Sequence, residues 1–157
     1  MRVATDMSFV FPLRVYVEDT DIGGIVYYVN YLKFMERART ELLRSEGFEQ
    51  ASLRNEGLIF VVHSAECRYL KPAQLDDELR VETVIKELSS VSITFMQTVV
   101  RKSDRAQSCG SEVERREEIL CRGEVKIASV QADSIKPIRL PTTLVEALRR
   151  FVCVEAT

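Results

Sequence analysis

The sequence predicts an α+β domain in which one long helix is wrapped by an antiparallel sheet. Apolar residues recur at helical spacing in a long early stretch, as Tyr31, Phe34, Met35, Ala38 and Leu42, the stripe a core-facing helix presents. Beyond it the pattern changes to period two, the signature of half-buried strands. Most connections between those runs are short, as antiparallel neighbours allow.

In order, the first strand is expected over Phe9–Val17, with Phe11, Leu13, Val15 and Val17 on one face and Arg14, Tyr16 and Glu18 on the other. Glu18-Asp19-Thr20-Asp21-Ile22-Gly23-Gly24 follows as a turn, its glycine pair permitting unusual backbone angles. The helix comes next. Lys33, Glu36, Arg37, Thr40, Glu41 and Arg44 cover its polar side, Asn30 is the expected N-cap, Arg37 and Glu41 an i,i+4 pair, and Gly47 the stop. Ile59–Leu70 reads as a long apolar-rich strand ended by Lys71-Pro72. Leu79, Val81, Thr83 and Ile85 alternate with Arg80, Glu82 and Lys86. After a Ser89-Ser90 turn, Val91, Ile93, Phe95, Gln97 and Val99 alternate with polar residues. Ile119–Val130 is the last strand, where Gly123 signals a bulge or a close backbone approach. The stretch Ser103–Glu118 is polar and aperiodic, an exposed extension, and a short helix over about 141–152 follows Pro141.

At 157 residues the chain fits a single domain, 1–157, with its core over about 10–130. A content of 46% hydrophobic and 29% charged residues is that of an ordinary globular protein. A net charge of −2, from 22 basic and 24 acidic side chains intermixed along the chain, leaves no footprint for nucleic acid. Cys67, Cys109, Cys121 and Cys153 form no CxxC pair, and His63 is the single histidine, so a Cys/His zinc site is poorly supported. The N-terminal segment lacks an apolar signal core, with Asp6 where one would lie, and no apolar run approaches the ~20 residues of a membrane helix. A reduced, cytoplasmic protein without a transmembrane segment is expected.

The residues with chemical promise surround Asp21. An aspartate in a glycine-rich bend stands just before a helix start, where unpaired N–H groups and the helix dipole can polarise a carbonyl. A carboxylate facing such amides can attack a carbonyl carbon or activate water. The competing reading is a plain turn or helix-end aspartate, which local pattern alone favours.

The run Asp19-Thr20-Asp21-Ile22-Gly23-Gly24-Ile25-Val26-Tyr27-Tyr28-Val29-Asn30-Tyr31, followed by Phe34, Glu36, Arg37, Ala38 and Arg39, resembles the signature of the 4-hydroxybenzoyl-CoA thioesterase family. Within it the chain is most similar to the YbgC-like, Tol-Pal-associated acyl-CoA thioesterases. Tyr69-Leu70-Lys71-Pro72-Ala73 and Asp76-Asp77-Glu78-Leu79 resemble a second segment of the family. The resemblance reverses the odds on Asp21. It implies a hotdog fold, with Asp21 as catalytic carboxylate (nucleophile or general base) and the Tyr28 backbone N–H as oxyanion donor. Gly23, Gly24, Ile25, Val26, Asn30 and Tyr31 are implied around the substrate, Asn30 and Tyr31 supporting the helix start and pocket wall. The implied substrate is an acyl-CoA thioester, the implied assembly a homodimer or tetramer, and no cofactor or metal is implied; acyl carrier protein is an open second donor.

Two departures matter. Tyr28 stands where some YbgC-like members carry a histidine with a catalytic role, so that imidazole is unavailable. Ile22 replaces the usual small residue or proline. His63 reads as a strand histidine, which argues against a hotdog dehydratase needing a His–acid pair. Glu18 and Asp19 read as solvated turn residues rather than ligands of a hard cation. Arg101, Lys102, Arg105, Arg115 and Arg116 are basic candidates for coenzyme A phosphates, each with surface charge as the competing reading. The alternative function from another class is a non-catalytic acyl-binding or scaffold hotdog working with acyl carrier protein or an envelope complex.

Overall fold

Alternation of apolar and polar residues fixes which face of each strand turns inward, and the computed structural model, which describes residues 7–103 and 116–153, follows it closely. The elements are β1 (Phe9–Arg14), α1 (Asn30–Ser45), α2 (Gln50–Asn55), β2 (Leu58–Tyr69), β3 (Glu78–Leu88), β4 (Ser92–Ser103), β5 (Arg116–Gln131) and α3 (Thr142–Leu148). The five strands form one sheet in the order β1-β3-β4-β5-β2, each neighbouring pair antiparallel. α1 lies against the inner face. Its stripe of Tyr31, Phe34, Met35 and Ala38 packs with Val81, Val99 and Cys121 in one core cluster. Leu42 and Leu43 join Ile85, Phe95, Val125 and α3 in a second.

The first strand is shorter than expected. It ends at Arg14, and Val17–Asp19 forms a 3-10 turn that leaves Val17 exposed, because the chain must bend there to enter the hairpin before α1. α2 is an addition that the sequence did not suggest: it buries only Leu53, too little for a periodic signal, between Gly47 and Gly57 at positive φ. Of the expected polar extension, Arg116–Glu118 belongs to β5, and residues 104–115 lie outside the described residues. The expected Arg37–Glu41 pair is replaced by Arg44 with Glu41, one helical turn apart on the exposed side.

Gly123 meets its expectation as a close approach. A Cβ there would stand 2.6 Å from Met35 Sδ and 2.8 Å from Met35 Cε, with Cys67 Sγ at 3.5 Å. Met35 is fully buried, so it has little room to give way. Gly123→Ala is expected to cost about 1–3 kcal/mol through overpacking. In urea unfolding, a compensating Met35→Val should recover part of that loss, giving a non-additive double-mutant cycle; additive losses would show that Met35 is not the obstruction.

Candidate active site

The site is built on a tight hairpin that delivers the chain to α1. Asp21 N–H donates to Ile25 O at 3.0 Å and Gly24 N–H to Asp21 O at 3.0 Å, and Thr20 bridges Val26. Asp at the first turn position and a glycine closing a three-residue loop in left-handed conformation are the residue types this geometry selects; Gly24 has φ +76°. Gly23 N–H donates to Asp21 Oδ1 at 2.9 Å, and a Cβ on Gly23 would stand 3.3 Å from that oxygen. Gly23 therefore serves the carboxylate directly, while Gly24 closes the turn on the Asp21 main-chain carbonyl. Asp21 remains exposed, and Ile22 at the tip is fully so.

The neighbouring aspartate has the opposite fate. Asp19, expected as a solvated turn residue, is 7% exposed. Its Oδ2 accepts Tyr16 N–H at 2.9 Å, and its carbonyl accepts Tyr27 N–H at 2.9 Å and Asn30 Nδ2 at 2.8 Å. Asn30 is thus not the N-cap. Val29 holds that position without a side-chain cap, and Asn30 is the first helical residue, reaching back to tie the helix start to the bend. The expectation failed because a short amide side chain at a helix start can satisfy either a local N–H or a more distant carbonyl.

Tyr27 to Asn30 forms a turn closed by Asn30 N–H on Tyr27 O at 2.8 Å. Tyr28 occupies its second position, and among the described residues its N–H donates to no backbone carbonyl. The Tyr28 ring is exposed and meets Tyr27 (centroids 5.0 Å) and Tyr69 (5.9 Å) edge-on, while Tyr69 also packs on Tyr31 at 5.6 Å. Tyr69 was missed at the sequence level as part of this wall; its signal was its place at the end of β2, as the first residue of the second motif. Burial, followed by the neighbouring Cys67 and Cys121, pushes its hydroxyl up to about 12. Burial also pushes Cys121 up to about 12 and raises Cys67. These are protonated groups in the neutral range.

Of the implied substrate-facing residues, Ile25 is at the margin of exposure, whereas Val26 and Tyr31 are buried in the core. Val26 N–H donates to Ala73 O at 2.9 Å, and Ala73 N–H to Tyr31 Oη at 2.9 Å. Burial, partly offset by that hydrogen bond, raises the Tyr31 hydroxyl pKa. These two residues hold the site segment against the loop before β3. His63 lies exposed beside a register irregularity of β2, away from this constellation in the sheet. Arg101 has its guanidinium on Asp77 and Glu118, which removes it from the candidates for coenzyme A phosphates. Lys102 is exposed; Arg105 and Arg115 lie outside the described residues, as does the Arg116 side chain.

One buried cation was also missed. Arg39, 8% exposed, donates from Nη1 to Gln97 Oε1 at 2.9 Å, and Gln97 Nε2 donates to Met35 O at 2.9 Å and Thr83 Oγ1 at 3.0 Å. Burial lowers its pKa, with Glu36 and Cys67 opposing. The available signal was an arginine next to the apolar stripe, facing a glutamine in the inward register of β4.

The chain matches the thioesterase-like superfamily over residues 15–148. The acyl-CoA thioesterase YbgC of Haemophilus influenzae is 41% identical over 137 residues, covering 87% of this chain and 90% of that protein. A solved probable thioesterase from Bartonella henselae is similar with a TM-score of 0.71 at 34% identity, covering 86% of this chain and 100% of that one. A 4-hydroxybenzoyl-CoA thioesterase structure shares the fold at a TM-score of 0.76 and 20% identity, over 90% of this chain and 98% of its own. The chain belongs to the thioesterase-like superfamily and is a YbgC-like thioester hydrolase of the hotdog fold.

Proposed function

We propose that this protein hydrolyses acyl-CoA thioesters to free acid and coenzyme A, with the Asp21 carboxylate as nucleophile or general base and the Tyr28 N–H as oxyanion donor. The observation that carries the reading is the contrast between the two aspartates: Asp19 is buried and engaged in holding the bend, while Asp21 stands open on a turn built around its carboxylate. The acyl-CoA thioesterase relatives, similar over nearly their whole length, support the substrate class. An unpaired main-chain donor at a helix start suits a developing oxyanion because it needs no particular side chain. The reaction so written requires neither metal nor cofactor, since coenzyme A is part of the substrate. Free-thiol release from a panel of aliphatic and benzoyl-type acyl-CoAs, with an acyl-acyl carrier protein alongside, tests the proposal in wild type and Asp21→Asn. Thioester turnover that is lost in the variant supports it. Folded wild type that turns over no thioester would favour the acyl-binding reading.

We place the reaction in the cytoplasm; no helix among the described residues is long and apolar enough to cross a membrane. The active unit is a homodimer at least. β1 and β2 are the two sheet edges. β1 is six residues long and carries Pro12, which blunts an edge. β2 runs for twelve residues without proline and exposes Val62 to 58% and Tyr69 to 44%. An isologous pairing through β2 would cover that edge and bring a second copy beside Tyr69. Sedimentation at micromolar concentration should give a dimer or tetramer, and a proline at Ala65 should shift it toward monomer; a monomeric wild type would refute the assembly.

A further inference from the structure

We propose that Arg101 and Asp77, which stand outside the reacting segment, are positioning residues for thioester hydrolysis: together they clamp the loop that sets the height of the α1 start beside Asp21. The argument follows the hydrogen bonds backward from the site. Val26, two residues before Tyr28, hangs on Ala73 O at 2.9 Å, and Ala73 N–H is anchored on Tyr31 Oη at 2.9 Å. Ile25 bridges Gln74. Three residues of the site segment thus take their position from Ala73 and Gln74, in a stretch between β2 and β3 that has no regular structure of its own.

That stretch is held by side chains instead. Asp77 Oδ2 accepts Gln74 N–H at 2.8 Å and Arg101 Nη1 at 2.9 Å. The same Arg101 nitrogen donates to Pro72 O at 3.1 Å, and its Nη2 is held by Glu118 on β5. Arg101 is therefore fixed from β5 and, directly at Pro72 and through Asp77 at Gln74, spans both ends of the tripeptide Pro72–Gln74, with Ala73 at its centre. Asp77 and Arg101 are largely covered, at 23% and 20% side-chain exposure, so their pairing is less screened than a surface contact. Although burial alone would lower it, Glu118 and then Asp77 hold the Arg101 pKa above its ordinary value. The left-handed backbone of Asp76, at φ +69°, is kept in place by its N–H on Val15 O and by Arg14 on its carbonyl. The loop is thus braced on both sides and transmits its position to Val26 and Tyr31.

Loss of the clamp should move the oxyanion donor relative to the carboxylate without altering either group. Misplacement of about 1 Å can cost on the order of 10²-fold in rate. For Arg101→Gln, kcat is expected to fall roughly ten- to hundredfold with KM within about threefold, since the interactions lost belong to the transition state. Arg101→Lys keeps one charge but cannot reach Asp77, Pro72 and Glu118 together, so it should recover part of kcat. Asp77→Asn keeps an acceptor for Gln74 and should fall between wild type and Arg101→Gln.

The proposal rests on the hydrolase reading, so its test includes a measurement independent of turnover. Hydrogen exchange on the same variants should show faster exchange at Val26 and Ala73 in Arg101→Gln, with Val81 and Val99 in the core strands unchanged. If wild type hydrolyses no thioester, the functional reading fails while the exchange comparison still decides the clamp. Unchanged exchange at Val26 and Ala73, or uniform loss of protection through the sheet, would overturn it. So would an undiminished kcat, or kcat lost with no recovery by lysine.

Discussion

Asp21→Asn is expected to lower kcat by about 10²–10⁴-fold while leaving the folded protein intact. The substitution is nearly a pure removal of charge. Asn keeps an oxygen at Oδ1 to accept Gly23 N–H, the 2.9 Å contact that defines the turn, and Asn suits that turn position as well as Asp does. The side chain is exposed, so little packing changes, and the thermal midpoint should stay within a few degrees of wild type. The expected rate loss corresponds to about 3–5 kcal/mol of transition-state stabilisation, much more than a turn contact contributes. Asp19→Asn is the matched control: it also keeps an acceptor for the Tyr16 N–H and should retain most turnover. Comparable hydrolysis by Asp21→Asn and wild type would remove the carboxylate from the mechanism. Equal losses in both variants would show that the bend, rather than the Asp21 charge, is what matters. A single turnover in 18O-water tests for covalent attack: solvent oxygen in the Asp21 carboxylate requires an acyl–aspartyl anhydride opened by water at the aspartyl carbon, a route that general-base activation of water does not offer.

The two aspartates also show where the sequence ceases to inform. Asp19 and Asp21 have the same type and flank the same threonine, and their local pattern is equally compatible with exposure. What separates them is the backbone path: the 3-10 turn over Val17–Asp19 turns Asp19 inward onto Tyr16, Tyr27 and Asn30, and the hairpin then carries Asp21 outward. The resemblance of the whole motif selected Asp21; periodicity had no means to do so. α1 was legible because its apolar stripe extends over several turns, and β3, β4 and β5 because alternation marks one buried face. β2 was legible as a strand but not as an edge. A long apolar-rich run reads as an interior strand, yet Val62 to Glu66 are exposed in the single chain, a pattern that a second copy would explain. The Ala73 loop was unreadable for a different reason: its order comes from Arg101, 28 residues after Ala73 by number, and no local pattern encodes a contact of that separation.

Removing a main-chain donor is the sharpest test of the other half of the site, and Tyr28→Pro does so at a position suited to receive it. Tyr28 is the second residue of the turn closed by Asn30 N–H on Tyr27 O, and the next residue, Val29, has φ −65° and ψ −27°. Proline favours that second turn position and is tolerated at a helix start, where the missing N–H would have no intrahelical partner. The fold and the Tyr27–Asn30 turn should therefore survive, as circular dichroism and thermal unfolding would report. The rate should not: loss of one preorganised oxyanion donor costs about 10²–10³-fold in kcat. Tyr28→Ala separates the backbone from the ring. It keeps the N–H and deletes the contacts with Tyr27 and Tyr69, and its kcat should stay within about tenfold of wild type if the main chain is what the reaction uses. Should alanine prove as damaging as proline, the exposed tyrosine wall, and not the amide, would be the catalytic feature. If folded Tyr28→Pro retains wild-type turnover, the oxyanion must be held elsewhere, and the amide of Val29, which donates to no backbone carbonyl among the described residues, becomes the donor to test.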